Sequence, residues 1–134
     1  MVRKLFHHLL RKLAHDYGRF GWLYFHIVKP RNDEFADYLR KRGGFNAIGE
    51  NCLINPDVVV TNPEYVRLGN NVCLASCSLI GHDGVVAVLN RAFQRKLDSV
   101  GKIDIRDNVF IGHGAIVLPG VVSVPTQWLQ QVRL

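Results

Sequence analysis

Two hydrophobic periods divide the chain. Over residues 3–28, Leu5, Leu9, Leu13, Phe20, Leu23 and Ile27 recur mostly at three- and four-residue steps, the spacing of a helix with one apolar face. Gly18 and Gly21 weaken the middle of this segment and Pro30 ends it. The stretch "DEFADYLRKR", 33–42, predicts a second short helix. Its acids stand at the N-terminal end and its bases at the C-terminal end, each favoured there by the helix dipole, and Gly43-Gly44 follow.

From Ile48 the period becomes six. Large aliphatic residues stand at Ile48, Ile54 and Val60, then at Leu68, Leu74 and Ile80, then at Ile105, Ile111 and Val117. A second column lies two residues before these: Cys52, Val58, Val66, Val72, Ser78, Ile103, Val109 and Ala115. Gly often follows the large aliphatic residue, and Asn51, Asn71 and Asn108 stand three after it. A period of six fits neither a helix nor an alternating strand. It fits a solenoid in which each hexapeptide supplies one short strand and a corner, and three hexapeptides close a coil. The step from Val60 to Leu68 is eight residues, so "TNPEYV" predicts a wider corner. The step from Ile80 to Ile105 is 25, so about 84–102 form a loop leaving the solenoid, the kind of excursion that builds sites. The expected division is therefore a helical segment 1–44, a solenoid 45–122 with its inserted loop, and an irregular tail 123–134.

Composition adds a charge asymmetry. The net charge is +6, and residues 1–42 hold ten Lys/Arg against four Asp/Glu, while 43–134 hold seven of each. The basic helices admit two readings: an apolar face that covers the open end of the solenoid, or a surface that lies on anionic membrane. Cys52, Cys73 and Cys77 lack metal-type spacing, and their odd number argues against a closed disulfide set. No stretch approaches the ~20 apolar residues of a membrane span and none reads as a secretory signal, so a reducing cytoplasm is the expected compartment. No nucleic-acid partner is expected.

The candidate chemistry gathers at the loop. His82 opens it in "LIGHDG", and the solenoid register sets Asn62 beside it one coil earlier. Asp83 is the chain neighbour, but adjacent β residues point to opposite faces, which makes it the poorer partner for the imidazole. On position alone His82 reads equally as a surface histidine at a corner. His113, in "IGHG", falls in the column of Ser76 on a different face, and Gly112 and Gly114 around it are either plain corner residues or an opening for a close-approaching ligand.

The stretch "LIGHDG…VGKIDIRDNVFIGHGAIVLPGV" resembles the core of the bacterial sugar O-acetyltransferases of the hexapeptide-repeat acyltransferase family, over about residues 45–121. The resemblance implies a mainly β fold, a left-handed parallel β-helix, and a homotrimer with sites between subunits. It implies acetyl-CoA as co-substrate and a sugar hydroxyl of a cell-surface polysaccharide or its precursor as acceptor. His82 matches the family's general base through its HDG motif. Asn62, Asp83 and Arg91 then fall to the acceptor, and Lys102, Gly112, His113 and Gly114 to the coenzyme, with Arg95 and Lys96 also available for phosphates. The alternative within the family is N-acetylation of an amino-sugar nucleotide. A zinc carbonic anhydrase on the same scaffold needs histidines five apart, and the residues five after His113 and His82 are Leu118 and Ala87, so no metal site is expected.

The period falters after Val117. "SVPTQWLQQVRL" carries no regular spacing, and Trp128 and Leu129 have no repeat position to fill. The genetic code admits an explanation. If one nucleotide were lost near codon 122, joining the third base of each codon to the first two of the next permits "IGANAMVAAGAV", whose Ile falls at 123, six after Val117. On this reading the later coils are missing and acetyl-CoA binding is weakened or absent.

Overall fold

The computed structural model describes residues 2–98 and 100–129, and the backbone only at Leu129. The strands are β1 (Ala47–Ile48), β2 (Leu53–Ile54), β3 (Val59–Thr61), β4 (Val66–Leu68), β5 (Cys73–Leu74), β6 (Ser78–Ile80), β7 (Ile103–Ile105), β8 (Val109–Ile111), β9 (Ile116–Val117) and β10 (Gln127–Leu129). They form three parallel sheets in the orders β1-β4-β7, β10-β8-β5-β2 and β3-β6-β9. The chain thus visits the three sheets in rotation, which is compatible with a parallel β-helix solenoid.

The sequence columns become the interior. Ile54, Leu74 and Ile111 stack in the second sheet, and Leu68 and Ile105 in the first, all buried. Each such side chain contributes roughly 1.5–3 kcal/mol by leaving water. The corner between the first and second sheets explains the recurring asparagine. Asn51, Asn71 and Asn108 have φ of 57°, 54° and 59°, a left-handed conformation that Asn tolerates better than most side chains. Asn71 Nδ2 donates to Asn108 Oδ1 at 2.8 Å, tying one corner to the next. Close stacking also fixes Gly69, where a Cβ would lie 2.8 Å from the backbone of Arg106 and Asp107.

In the third sheet the structure departs from the expected register. Val60 pairs with Leu79, and Leu79 with Val117, so Leu79 rather than Ile80 stands in the large column. Cys77, not Ser78, is its small partner. Leu79 and Cys77 are buried, whereas Ser78 and Ile80 are half-buried. The corner between Leu74 and Leu79 is one residue shorter than its neighbours. Leu79 and Ile80 are both aliphatic, so pattern alone cannot choose between them.

The expected helix 3–28 is broken. α1 (Val2–Tyr17) ends where Gly18 and Phe20 take φ of 65° and 59°. A short α2 (Gly21–Leu23) and a π-turn (Tyr24–Val28) follow, and the π-turn packs back on α1. α3 (Asn32–Arg42) agrees with the predicted second helix within a residue. It covers β1 and β2: Phe35 and Ala36 enter the core that the strands enclose, and Arg40 donates to the carbonyls of Ile48 at 3.1 Å and Gly49 at 2.5 Å. Those contacts supply partners at the edge of the first sheet. α1 packs on this layer through a separate small core of Leu10, Ala14, Tyr24 and Val28.

The tail also differs from expectation. Val122 bridges to Asp104, and β10 pairs with β8, Trp128 opposite Phe110 and Leu129 opposite Ile111. Residues 127–129 therefore do take a repeat position. Ser123 is buried in the place where Ile48, Leu68 and Ile105 stand in earlier coils, and its Oγ accepts the Arg106 N–H at 2.8 Å. Thr126 takes the asparagine corner with φ of 61°. The rest of the expected tail, 130–134, lies outside the described residues.

Candidate active site

The wider corner after β3 is a 3₁₀ turn, Pro63–Tyr65, entered through Asn62 at φ 56°. A residue before proline is disfavoured in the right-handed helical region, and Asn accepts the left-handed one. One coil later the chain leaves β6 at the same corner. Gly81 sits directly on the earlier turn: a Cβ there would meet the Thr61 carbonyl at 2.7 Å, and the Gly81 N–H donates to Thr61 Oγ1 at 2.8 Å. This close stacking brings His82 to Asn62.

His82 Nδ1 and Asn62 Oδ1 are 2.5 Å apart. Asn62 Nδ2 in turn donates to Glu64 Oε1 at 3.2 Å. The carboxylate accepts, so the amide nitrogen faces it and the amide oxygen faces the imidazole. In its neutral form His82 then carries its proton on Nδ1 and keeps the lone pair on Nε2, the tautomer of a base open at Nε2. The side chain of His82 is exposed. Glu64 is a member of this chain that the six-residue pattern did not single out. Its only signal was a carboxylate two residues after Asn62 in the widened corner.

Asp83 does not share this contact. Its Oδ1 accepts the Val85 N–H at 2.9 Å and opens α4 (Val85–Phe93), a helix inside what the sequence predicted as loop. Arg91 is exposed on that helix. Asn90 of the same helix clasps Leu97 beyond its end through both amide atoms, at 2.7 and 2.9 Å. Lys102 lies where the insertion returns to β7. It lines a cavity of about 340 Å³ together with Asn46, Glu64, Tyr65, Arg67 and Asp104. Glu64 thus belongs both to the His82 chain and to the cavity wall. Arg67 and Arg106 each pair with Asp104 at 3.1 Å, and Lys102 is a further cation of the wall.

His113 stands elsewhere, on the corner between β8 and β9. Gly114 has φ of 73° and donates to the Ser76 carbonyl at 2.7 Å. Gly112, His113 and Gly114 are therefore not brought to the His82 corner within one chain.

The thiols are held in their protonated form. Burial raises the pKa of Cys52 and Cys73 and pushes that of Cys77 up to about 11. A thiolate is the nucleophilic form, so none of the three is poised for acyl transfer. Among the described residues no group of three or more His, Cys, Asp or Glu side chains is placed to hold a metal ion. No described helix is long and apolar enough to cross a membrane.

No family model matches the chain, and no solved structure matches it. The chain is similar to Protein CapG of Staphylococcus aureus, with 30% identity over 103 residues, 74% of this chain and 57% of that protein. It therefore spans little more than half the length of that relative.

Proposed function

We propose that this protein takes part in polysaccharide biosynthesis as an acetyl-CoA-dependent O-acetyltransferase acting on a sugar hydroxyl, on a left-handed parallel β-helix. The observation that carries the reading is the chain from Glu64 through Asn62 to His82, which leaves Nε2 of His82 as an exposed base. The resemblance of "LIGHDG…IGHGAIVLPGV" to the sugar O-acetyltransferases supports it, as does the similarity to Protein CapG.

A sugar hydroxyl is a poor nucleophile at neutral pH. His82 Nε2 takes its proton as the oxygen attacks the acetyl carbonyl, and the imidazolium then returns the proton to the departing thiolate. Nδ1–H stays on Asn62 throughout, so the ring does not turn between the two transfers. Acetyl-CoA supplies the activated acetyl group when bound. Lys102, which shares a cavity wall with Glu64, is a cation for its phosphates, and Arg91 on α4 is left to the acceptor. Gly112, His113 and Gly114 occupy another corner, so their share in the coenzyme site requires a neighbouring subunit, as in the homotrimer that the resemblance implies.

The test is turnover of acetyl-CoA against a panel of saccharides and amino-sugar nucleotides, with His82→Ala beside the parent. An alkali-labile acetyl ester whose formation needs His82 is the expected result. An amide product would move the reading to N-acetylation, and turnover independent of His82 would remove the assigned base.

A further inference from the structure

α1 turns its more apolar side outward. Val2, Leu5, Phe6 and Leu9 recur at three- and four-residue steps and form one stripe. Leu5 is 71% and Leu9 51% exposed, whereas Leu10 is 4% and Ala14 0% exposed on the side packed against the protein. The helix thus packs on the protein through Leu10 and Ala14 and presents its larger hydrophobic face to solvent. Cations border that face. Lys4 and Lys12 run along one side at eight-residue spacing, with Arg3 on the other, and all three are exposed. His8 and Lys12 also line a cleft of about 480 Å³ on this flank. The helix carries one acid, Asp16, in its last turn.

We infer that α1 is a peripheral membrane-docking helix whose partner is an anionic lipid surface. An apolar stripe flanked by lysine and arginine is the pattern that lies in a bilayer interface, with the stripe among the acyl chains and the cations at the headgroups. Covering the solenoid does not account for the stripe, because α3 already performs that role through Phe35, Ala36 and Arg40. A second copy of the chain fits less well. Two such stripes packed face to face would bring Lys4 and Lys12 of one helix against those of the other. The inference is independent of acetyl transfer, since it is read with no acetyl-CoA present.

The experiment is co-sedimentation of the full chain with vesicles of phosphatidylcholine, and of phosphatidylcholine containing one quarter phosphatidylglycerol. Binding to the anionic vesicles should exceed binding to the neutral ones at least about tenfold, and should fall as salt rises. Lys4→Gln/Lys12→Gln should weaken the anionic binding on the order of thirtyfold, about fivefold for each charge. Leu5→Gln/Leu9→Gln should weaken it on the order of tenfold, with circular dichroism unchanged because both side chains are exposed. Equal binding to the two vesicle types, or none, overturns the inference. So does a Leu5→Gln/Leu9→Gln variant that binds vesicles as the parent does but loses self-association in sedimentation. The salt and lipid dependence of the parent needs no variant, so the inference stays testable if a variant misfolds.

Discussion

Glu64 accepts the amide N–H of Asn62 at 3.2 Å and so fixes which way that amide faces. With the nitrogen held by a carboxylate, only the oxygen is left for His82. A single exposed acid in a turn thus decides the tautomer of a histidine twenty residues farther along the chain from Asn62. Such indirect orientation is how neutral imidazole is usually kept with its lone pair where it is needed.

Replacing His82 with Ala should lower acetyl-CoA-dependent turnover by about 10²–10⁴, the range of a general base. The thermal midpoint should barely move, because the side chain is exposed. His113→Ala should leave the chemical step closer to the parent. A variant lacking His82 that still turns over at the parent rate would remove the assignment.

Asn62 can be separated from its backbone role. Its φ of 56° suits glycine, so Asn62→Gly keeps the corner and removes only the amide. Turnover should drop on the order of tenfold or more with stability nearly unchanged. Asn62→Asp should raise the pH of the acidic limb of the rate profile, because a carboxylate beside the ring favours imidazolium. An unshifted limb in the Asp variant would argue against direct contact between the two side chains during turnover.

The register in the third sheet has a direct readout. Leu79→Ala should cost about 2–5 kcal/mol, as for a fully buried leucine, and Ile80→Ala clearly less. Denaturant unfolding of the two variants measures this. The reverse order would restore the strict six-residue spacing.

Thr126 holds the left-handed corner that Asn51, Asn71 and Asn108 hold in earlier coils. A β-branched residue is strained there. Thr126→Asn should therefore raise stability by about 1 kcal/mol. One reading that a shifted frame permits has Ile at 123 and Asn at 126, the residue types that stand at the matching places of the earlier strands and corners. A Thr126→Asn variant less stable than the parent would show that the corner is not strained.

The helical layer should weaken in mild acid. Burial lowers the pKa of His15 below 6.5, outweighing the opposing pull of Glu34, with Lys41 lowering it further and Asp37 and Asp16 raising it. The ring packs on Tyr24 and Tyr38. The folded protein therefore prefers the neutral ring. That contribution is fully present above pH 6.5 and is lost as pH falls through the folded-state value. The parent's denaturant midpoint should fall more than that of His15→Gln between pH 7.5 and 5, and parallel curves would rule the effect out.

Much of this is legible in the amino-acid sequence. The six-residue recurrence of Ile54, Leu74 and Ile111 placed those side chains inside, because burial repeats whenever the chain completes one face. The widened corner at "TNPEYV", the excursion after Ile80 and the helix 33–42 likewise carry local signals: an added step, a long gap, and charges sorted to the ends. The proximity of Asn62 and His82 was also readable, although from a register one residue off at Leu79.

What the sequence determined by itself is thus the periodic part of the protein, where each residue's environment repeats at a fixed interval and apolar spacing records it. Tertiary structure alone decided the non-periodic part. Whether Leu79 or Ile80 turns inward depends on hydrogen bonds to Val59 and Ala115 in neighbouring coils, and both residues look alike to a hydrophobic pattern. The fold-back of the π-turn on α1 depends on packing among Leu10, Ala14 and Tyr24. The Glu64–Asn62–His82 chain depends on two corners being stacked within hydrogen-bond distance, a relation between coils that no single stretch of sequence contains.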